Sequence, residues 1–555
     1  MVKYFRYILA PAVFIAFLLV HSFTIQAAEQ IPALSTAAGN SFQTYTNRSV
    51  QSSKLTEQDR VDLSGHLEQK KPLISKIILK QDNIYPPCNG NAPSFPYSLV
   101  NTLHFMTSRH VLERELLLAE GDRFDAALLT ETERNLRAFP YFQRVSVTAK
   151  ENPTGNFDVS IHTIDAWTTK LFFAFRRTGG EMQGKIGMIE ENLLGRGKYL
   201  ATYFSSEPER ESVHFYYNDP RLLGHYFSSQ FLYISSSDLD RIRLKLIKPF
   251  ISTLTTWAFE FNGERENGWH THYDSGEEAF RFLPDHRVFN LIMAVAPSVS
   301  TSKVLRYSFG YRFLDDRFGI GNRPLEHHPS FSNSLYSGIF GALDYKKIDF
   351  VKEYNLDTYN RDEDFNVGNQ FSFEIGYAPL ILGSSANALF LQAEFRNGIS
   401  FKKGHLLLGS AHVDVRFQER RFENCQSKFE IHHYYRIQER VTLWNHVTGT
   451  FLYEADPQNQ FILGGDSGLQ GYALHYFTGN KGLLFNSETR ILLFNDVLKL
   501  FTVGGVLFCD AGNAWPEKEP LNLSELHYDV GLGIRVTFPR SSSSNIIKVV
   551  YSYAF

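Results

Sequence analysis

The sequence predicts a transmembrane antiparallel β-barrel of about 16 strands, preceded by one small α/β module. Three observations carry that expectation. In the C-terminal two-thirds, segments of roughly ten residues alternate apolar and polar side chains between clusters of Gly, Asn, Asp and Ser. Aromatics are abundant, with 48 Phe and 28 Tyr against 5 Met. The N-terminus has the pattern of an export segment.

The remaining composition narrows the class. The 555 residues carry a net charge of -3, with 43% hydrophobic and 21% charged side chains. A near-neutral chain with pI about 6.7 argues against nucleic acid as a partner, which favours basic domains. The apolar fraction is too high for general disorder. A mean hydropathy of -0.24 suits a sheet that is apolar on one face only.

Lys3 and Arg6 precede an apolar run from Ile8 to Val20, and Ala27–Ala28 follow as a small-residue exit. That order describes a secretory signal peptide over 1–28. The run is interrupted by Pro11 and short of the about 20 residues that span a bilayer. Export admits disulfides, yet Cys88, Cys425 and Cys509 are odd in number and widely spaced, so at most one bridge is expected. Residues 29–71, rich in Ser, Thr and Gln, read as a flexible linker.

Residues 72–167 read as a β-α-α-β-β module. Ile74, Ile77, Ile78 and Leu79 form a strand. A helix is expected over Ser108–Leu118 with Ser108 as N-cap. A second, Ala126–Ala138, places Leu128, Leu129, Thr132 and Leu136 on one face. Phe142–Lys150 and Phe157–Ile164 follow as strands around a turn at Asn152–Asn156.

This module resembles a POTRA domain of the BamA/TamA outer-membrane translocase superfamily. The resemblance rests on Arg114-Glu-Leu-Leu-Leu118, Glu120-Gly121-Asp122, Phe124-Asp125, Glu133-Arg134-Asn-Leu136-Arg137, Tyr141-Phe142, Asp158-Val-Ser-Ile161 and Trp167-Thr168. It implies a sheet edge that accepts an extended client strand by β-augmentation.

Residues 168–555 carry the dyad pattern of the barrel. Phe371, Phe373, Ile375 and Tyr377 interleave with Ser372, Glu374 and Gly376. Ala411, Val413, Val415 and Phe417 interleave with His412, Asp414 and Arg416. One set is expected on lipid and the other in a polar lumen. Ile547, Val549, Tyr551, Tyr553 and Phe555 share one face of the last strand. They look like the C-terminal β-signal read by the cell's outer-membrane insertion machinery, with Tyr551, Tyr553 and Phe555 as its core.

Two further motifs extend the resemblance. Gly464-Gly465-Asp-Ser-Gly-Leu-Gln470-Gly471-Tyr472 looks like the superfamily's sixth extracellular loop, which folds into the lumen. Phe508-Cys-Asp510-Ala-Gly512 resembles the F-x-D-x-G motif of a following strand. The family's loop carries an Arg that reaches wall carboxylates, and Glu488 and Asp510 match those acceptors. Here the position is Gln470, so the expected anchor is a weaker amide bond to Asp510. Glu190-Glu-Asn-Leu-Leu-Gly-Arg196-Gly-Lys198 and Asn218-Asp-Pro220-Arg-Leu-Leu-Gly224 resemble family hairpins.

Other motifs are weaker. Gly465-Asp466-Ser467-Gly468 echoes a serine-protease loop without the His and Asp that chemistry needs. His270, His272, His327, His328, His432 and His433 lack zinc spacing. No catalytic residue, cofactor or metal is therefore expected. The resemblance implies an outer-membrane protein-assembly factor with its POTRA in the periplasm. It would act on unfolded outer-membrane clients through a seam between about Lys170–Arg176 and Asn545–Phe555. Its surroundings would be outer-membrane lipids and lipopolysaccharide. A two-partner-secretion transporter of one secreted polypeptide, or a lipid-handling scaffold, are the alternatives.

Overall fold

The computed structural model describes residues 23–27, 72–87, 93–95, 97–178, 181–250, 255–298, 302–319, 331–357, 362–498, 501–538 and 546–555. Most of the expected signal peptide, the linker over 29–71 and Cys88 lie outside the described residues. Strand β1 (Phe23–Ala27) is the described part of that N-terminal region.

The POTRA module has a three-stranded sheet made of β2 (Ile74–Asp82), β3 (Phe142–Glu151) and β4 (Phe157–Asp165). The central β4 pairs in parallel with β2 and antiparallel with β3. The outer side of β3 therefore remains an edge. Helices α1 (Tyr97–Leu103), α2 (Arg109–Glu113) and α3 (Ala126–Arg137) complete the module. Leu112, Leu136, Phe142, Val159 and Ile161 form its core. Burying such side chains supplies about 1.5–3 kcal/mol each.

Two details differ from the sequence expectation. The helix expected to reach Leu118 ends at Glu113, and α1 is an additional helix. Past Glu113 the chain leaves helical geometry, so that Glu115 is buried against Arg221 while Leu118 enters the core. Ser108 occupies the N-cap position, but its side chain makes no capping bond. Its N–H instead donates to the carbonyl of Gly195 at 2.8 Å.

Among the described residues, twenty-one strands share the large sheet. Apart from β1 and the short His270–Asp274 strand, nineteen of them run from β5 (Thr169–Thr178) to the terminal strand Ile546–Ala554, each antiparallel to the next. This exceeds the expected about 16 because many connections are tight turns, such as those at 403–404 and 419–420. The face pattern is as expected. Phe371, Phe373, Ile375 and Tyr377 are exposed on the outside, while Ser372, Glu374 and Gly376 face inward and are more covered. Among the described residues no helix is long and apolar enough to cross a membrane.

The odd strand number changes the expected seam. After eighteen antiparallel steps, β5 and the terminal strand point the same way. Among the described residues they do not pair with each other. Strand β1 lies between them, antiparallel to both, with Phe23–Ala27 opposite Tyr551–Ile547 and Thr24–Ile25 opposite Arg176–Phe175. The chain end at Phe555 therefore lies at the barrel end opposite the POTRA module.

A cysteine pair tests this arrangement. Ile25→Cys with Val549→Cys, directly opposite in register, should form a disulfide in the unprocessed chain, seen as a shift on a non-reducing gel. Its absence while residues 23–27 are still attached would contradict the placement of β1.

Candidate functional site

The junction between POTRA and barrel is built from the two hairpins singled out in the sequence. Gly195 adopts φ +70, and a Cβ there would lie 2.2 Å from the carbonyl oxygen of Met106. Only glycine permits that approach and the Ser108–Gly195 hydrogen bond it allows. Asn192 donates to the Thr107 hydroxyl at 2.9 Å and accepts from the Gly197 N–H at 2.6 Å. From the second hairpin, Arg221 pairs with buried Glu115, and the Tyr226 hydroxyl donates to the Arg114 carbonyl at 2.8 Å. Lys170 and Glu191 form a buried ion pair at 2.8 Å.

Asp165 closes this junction. It is fully buried and accepts the Thr107 N–H at 2.6 Å. Burial pushes its carboxyl up to about 6, against the pull of the hydrogen bonds from Thr107. Burial likewise lowers the neighbouring His104, partly offset by Glu190. The group binds its proton more tightly when folded than at its ordinary 3.8. Its contribution is therefore fully present below that pH and is lost as pH rises through about 6.

At the other end, the loop motif folds into the lumen. A small hairpin, Phe461–Leu463 against Phe477–Gly479, carries it. Leu463 and Leu469 are buried with Phe477 and Leu484 of the wall. Gly464 has φ +122, and a Cβ there would meet the Ala473 carbonyl at 2.4 Å. Ser467 donates to the Gly464 carbonyl at 3.0 Å and serves the turn. Gly512 lets the loop pack closely, since its Cβ would lie 3.4 Å from Leu463.

The anchors of the loop differ from those expected. No hydrogen bond joins Gln470 to Asp510 among the described residues, and the Gln470 Oε1 is buried without a partner. Gly471 instead donates its N–H to Asp529 at 2.5 Å, and the Tyr472 hydroxyl donates to the Phe555 carbonyl at 2.7 Å. Asp510 stands directly opposite Asp529 on adjacent strands. The strongest anchor runs the other way from the family's. Arg416 of the wall holds Asp456 of the loop through two bonds, at 2.9 and 2.6 Å. A bidentate pair of this kind is stronger than a neutral bond. Gln460 adds bonds to both backbone groups of Tyr273 across the lumen.

Glu488 is not a loop acceptor. Its carboxylate takes Arg490 at 2.9 Å, Arg535 at 3.3 Å and Lys548 at 2.7 Å, joining three wall strands. The terminal residues sit as the alternation implies, with Tyr553 and Phe555 exposed outside. Asp456, Asp529, Arg416, Arg535 and Lys548 were not singled out in the sequence. Their only signal is an inward place in an alternating strand or a charge beside the loop motif. His270 meets Glu266 at 3.0 Å, His432 stacks on His446, and His327 and His328 lie outside the described residues. Among the described residues no three His, Cys, Asp or Glu side chains are placed to hold a metal. Cys425 and Cys509 are free thiols.

Fold and junction define a small α/β module joined to a large barrel of strands. Residues 102–163 match the POTRA family model, described as surface antigen variable number repeat. Over those residues the chain is similar to a POTRA domain. A search of the curated proteins finds no match. Among solved structures, CdiB from Acinetobacter baumannii is 13% identical with a TM-score of 0.40, covering 87% of this chain and 74% of its own. BamA from Haemophilus ducreyi lacking POTRA domains 1-3 is 13% identical with a TM-score of 0.35, covering 91% and 95%. CdiB from Escherichia coli is 10% identical with a TM-score of 0.40, covering 87% and 77%. At such scores superposition does not distinguish one large barrel from another.

These contacts predict the outcome of three substitutions. Asp165→Asn keeps an acceptor for Thr107 but carries no charge. Relative to the parent, the full chain in detergent should gain stability as pH rises from about 4 to about 7, by at most about 3 kcal/mol. A difference in thermal midpoint that is independent of pH would contradict it. Arg416→Ala should expose the 454–480 loop, raising its proteolysis on intact cells at least about ten-fold, because one charge of a largely buried pair loses its partner. Gln470→Arg should slow the same cleavage by offering a cation to Asp510 and Asp529; equal cleavage in all three proteins would show that these residues do not anchor the loop.

Proposed function

We propose that this protein assembles or inserts outer-membrane proteins, receiving clients at the POTRA edge and passing them to a seam in its barrel. The observation that carries the reading is the seam. Among the described residues its flanks, β5 and the terminal strand, are joined only through the five-residue β1, itself part of the expected signal peptide, with five residue pairs on one side and two on the other; removal of that peptide leaves the two flanks without this link. Neighbouring strands elsewhere share far longer ladders, such as Lys303–Asp316 against Lys347–Ser334. Unpaired backbone in hydrocarbon costs several kcal/mol per group. A seam with so few bonds is where a client strand gains most by pairing.

The route is continuous. The free edge of β3 offers β-augmentation to an extended client. The junction around Asp165 fixes that module next to β5, which begins at Thr169. The chain carries no nucleotide-binding motif, so the client's own folding supplies the driving free energy. The 454–480 loop fills part of the lumen, which favours the seam over the lumen as the route and places the two-partner-secretion reading second. The protein would sit in the outer membrane, amid its lipids and lipopolysaccharide, with the POTRA module in the periplasm. Its own assembly would pass through the cell's insertion machinery.

Photo-crosslinking side chains at Phe173 on β5 and Val147 on β3 test this. Both sites should trap several different unfolded barrel proteins, identified by mass spectrometry. One secreted polypeptide at both sites would make the protein a dedicated exporter, and lipid alone would remove the protein-client reading.

A further inference from the structure

The connection between barrel strands Ser334–Lys347 and Gln370–Ala378 is at the POTRA end, and it is far more than a turn. It forms its own hairpin, Phe350–Tyr354 against Asp362–Asn366, which belongs to no other sheet. The hairpin is folded against the inner wall of the barrel. Leu356, just past its first strand, is 1% exposed and is buried with Leu406 and Tyr434, with Leu408 and Trp444 alongside. These wall residues alternate with outward-facing neighbours such as Ile431 and Ile437, which are exposed on the lipid side. The hairpin's base passes so close to the wall that a Cβ at Gly398 would lie 2.8 Å from the Cα of Val367.

Polar clamps surround this apolar contact. Glu353 is 2% exposed; it pairs with Arg436 at 3.3 Å and accepts the Gly404 N–H at 2.8 Å. Arg490 donates to the Leu356 carbonyl and to Asp357, both at 3.1 Å. Thr442 donates to the Asn355 carbonyl at 3.1 Å. Every one of these links runs from a side chain of the wall or the hairpin, so releasing the hairpin breaks no bond of the barrel ladder. A lone two-stranded hairpin is marginally stable by itself in water, and this one depends on the wall to hold its place.

We propose that the hairpin strands Phe350–Tyr354 and Asp362–Asn366, with Asn355–Asp357 beside them, form an autoinhibitory plug that shuts the POTRA end of the lumen. It leaves when Glu353 and Asp357 part from Arg436 and Arg490. The proposal concerns the lumen and is independent of which client uses the seam. With the 454–480 loop at the opposite end, the lumen then has two stoppers in series.

Because the stoppers act in series, the test uses the full chain with residues 464–472 replaced by a Gly-Ser linker. In planar bilayers this loop-trimmed protein should conduct weakly, and replacing 350–366 by a second linker should raise its conductance several-fold. Unchanged conductance in a variant that keeps heat-modifiable mobility would overturn the proposal. A second measurement leaves the hairpin in place. Leu356→Cys, with Cys88, Cys425 and Cys509 changed to Ser, should react slowly with a maleimide. Adding Glu353→Gln and Asp357→Asn should speed the reaction at least about ten-fold, as local opening becomes easier. Equal rates would overturn it.

Discussion

The constraint on which this barrel depends is that every backbone N–H and C=O within the bilayer needs a partner. Between neighbours in sequence, antiparallel hairpins meet that need automatically. Around the ring the need is met only if the first and last strands can also pair. Nineteen consecutive antiparallel strands bring β5 and the terminal strand to the seam pointing in the same direction, so an antiparallel ladder between them is impossible. The place between them accepts one extended segment that runs antiparallel to both, and β1 takes it. Two flanks that point the same way could pair only as a parallel ladder, slightly less stable per residue, and here β1 stands between them instead.

Inside the wall the constraint is electrostatic. Inward positions carry many charges, and they are neutralised along and across strands: Glu488 by Arg490 of its own strand and by Arg535 and Lys548 of others, and Glu374 by both terminal guanidinium nitrogens of Arg312 at 2.7 and 3.2 Å. The segments that fold into the lumen use the same chemistry. Arg416 takes Asp456 of the outer loop, while Arg436 and Arg490 take Glu353 and Asp357 of the inner hairpin. In each case the wall supplies the guanidinium and the inserted segment the carboxylate. That division accounts for a loop motif that works with Gln470, because the cation the loop lacks is already on the wall.

Much of this was legible in the sequence, for physical reasons. A period of two over ten residues fixes which side chains meet lipid, and so the faces of Phe371–Tyr377 and Ile547–Tyr553 could be read directly. The POTRA module was legible because its core positions follow the helical and strand periods, as Leu136 and Ile161 show. Strand number was not legible, since it depends on whether a Gly- or Asn-rich stretch makes a tight turn or a long connection. The register of charges across strands was also hidden. Asp510 and Glu488 stand in recognisable motifs, yet their partners Asp529, Arg535 and Lys548 come from strands whose alignment no local pattern records. The inner hairpin escaped because its alternating residues look like any short strand.

The POTRA junction links these two constraints. Residues 107–115 touch the 190–198 and 218–227 turns, which end the second and fourth barrel strands and start the next ones. Lys170, at the start of β5, is held to Glu191 on the first of those turns. The module is therefore fastened to one flank of the seam. From the opposite side, the contact near the seam is Tyr97 to the carbonyl of Leu498, at the foot of the strand Lys481–Val497. The module thus touches both sides of the seam, through the bonds of residues 107–115 on the β5 side and through Tyr97 on the other. A load on the edge of β3 is transmitted to β5, across the five and two residue pairs that are the weakest ladder in the sheet. Separation there requires no rearrangement of the Glu488 cluster, whose strands all lie on the far flank.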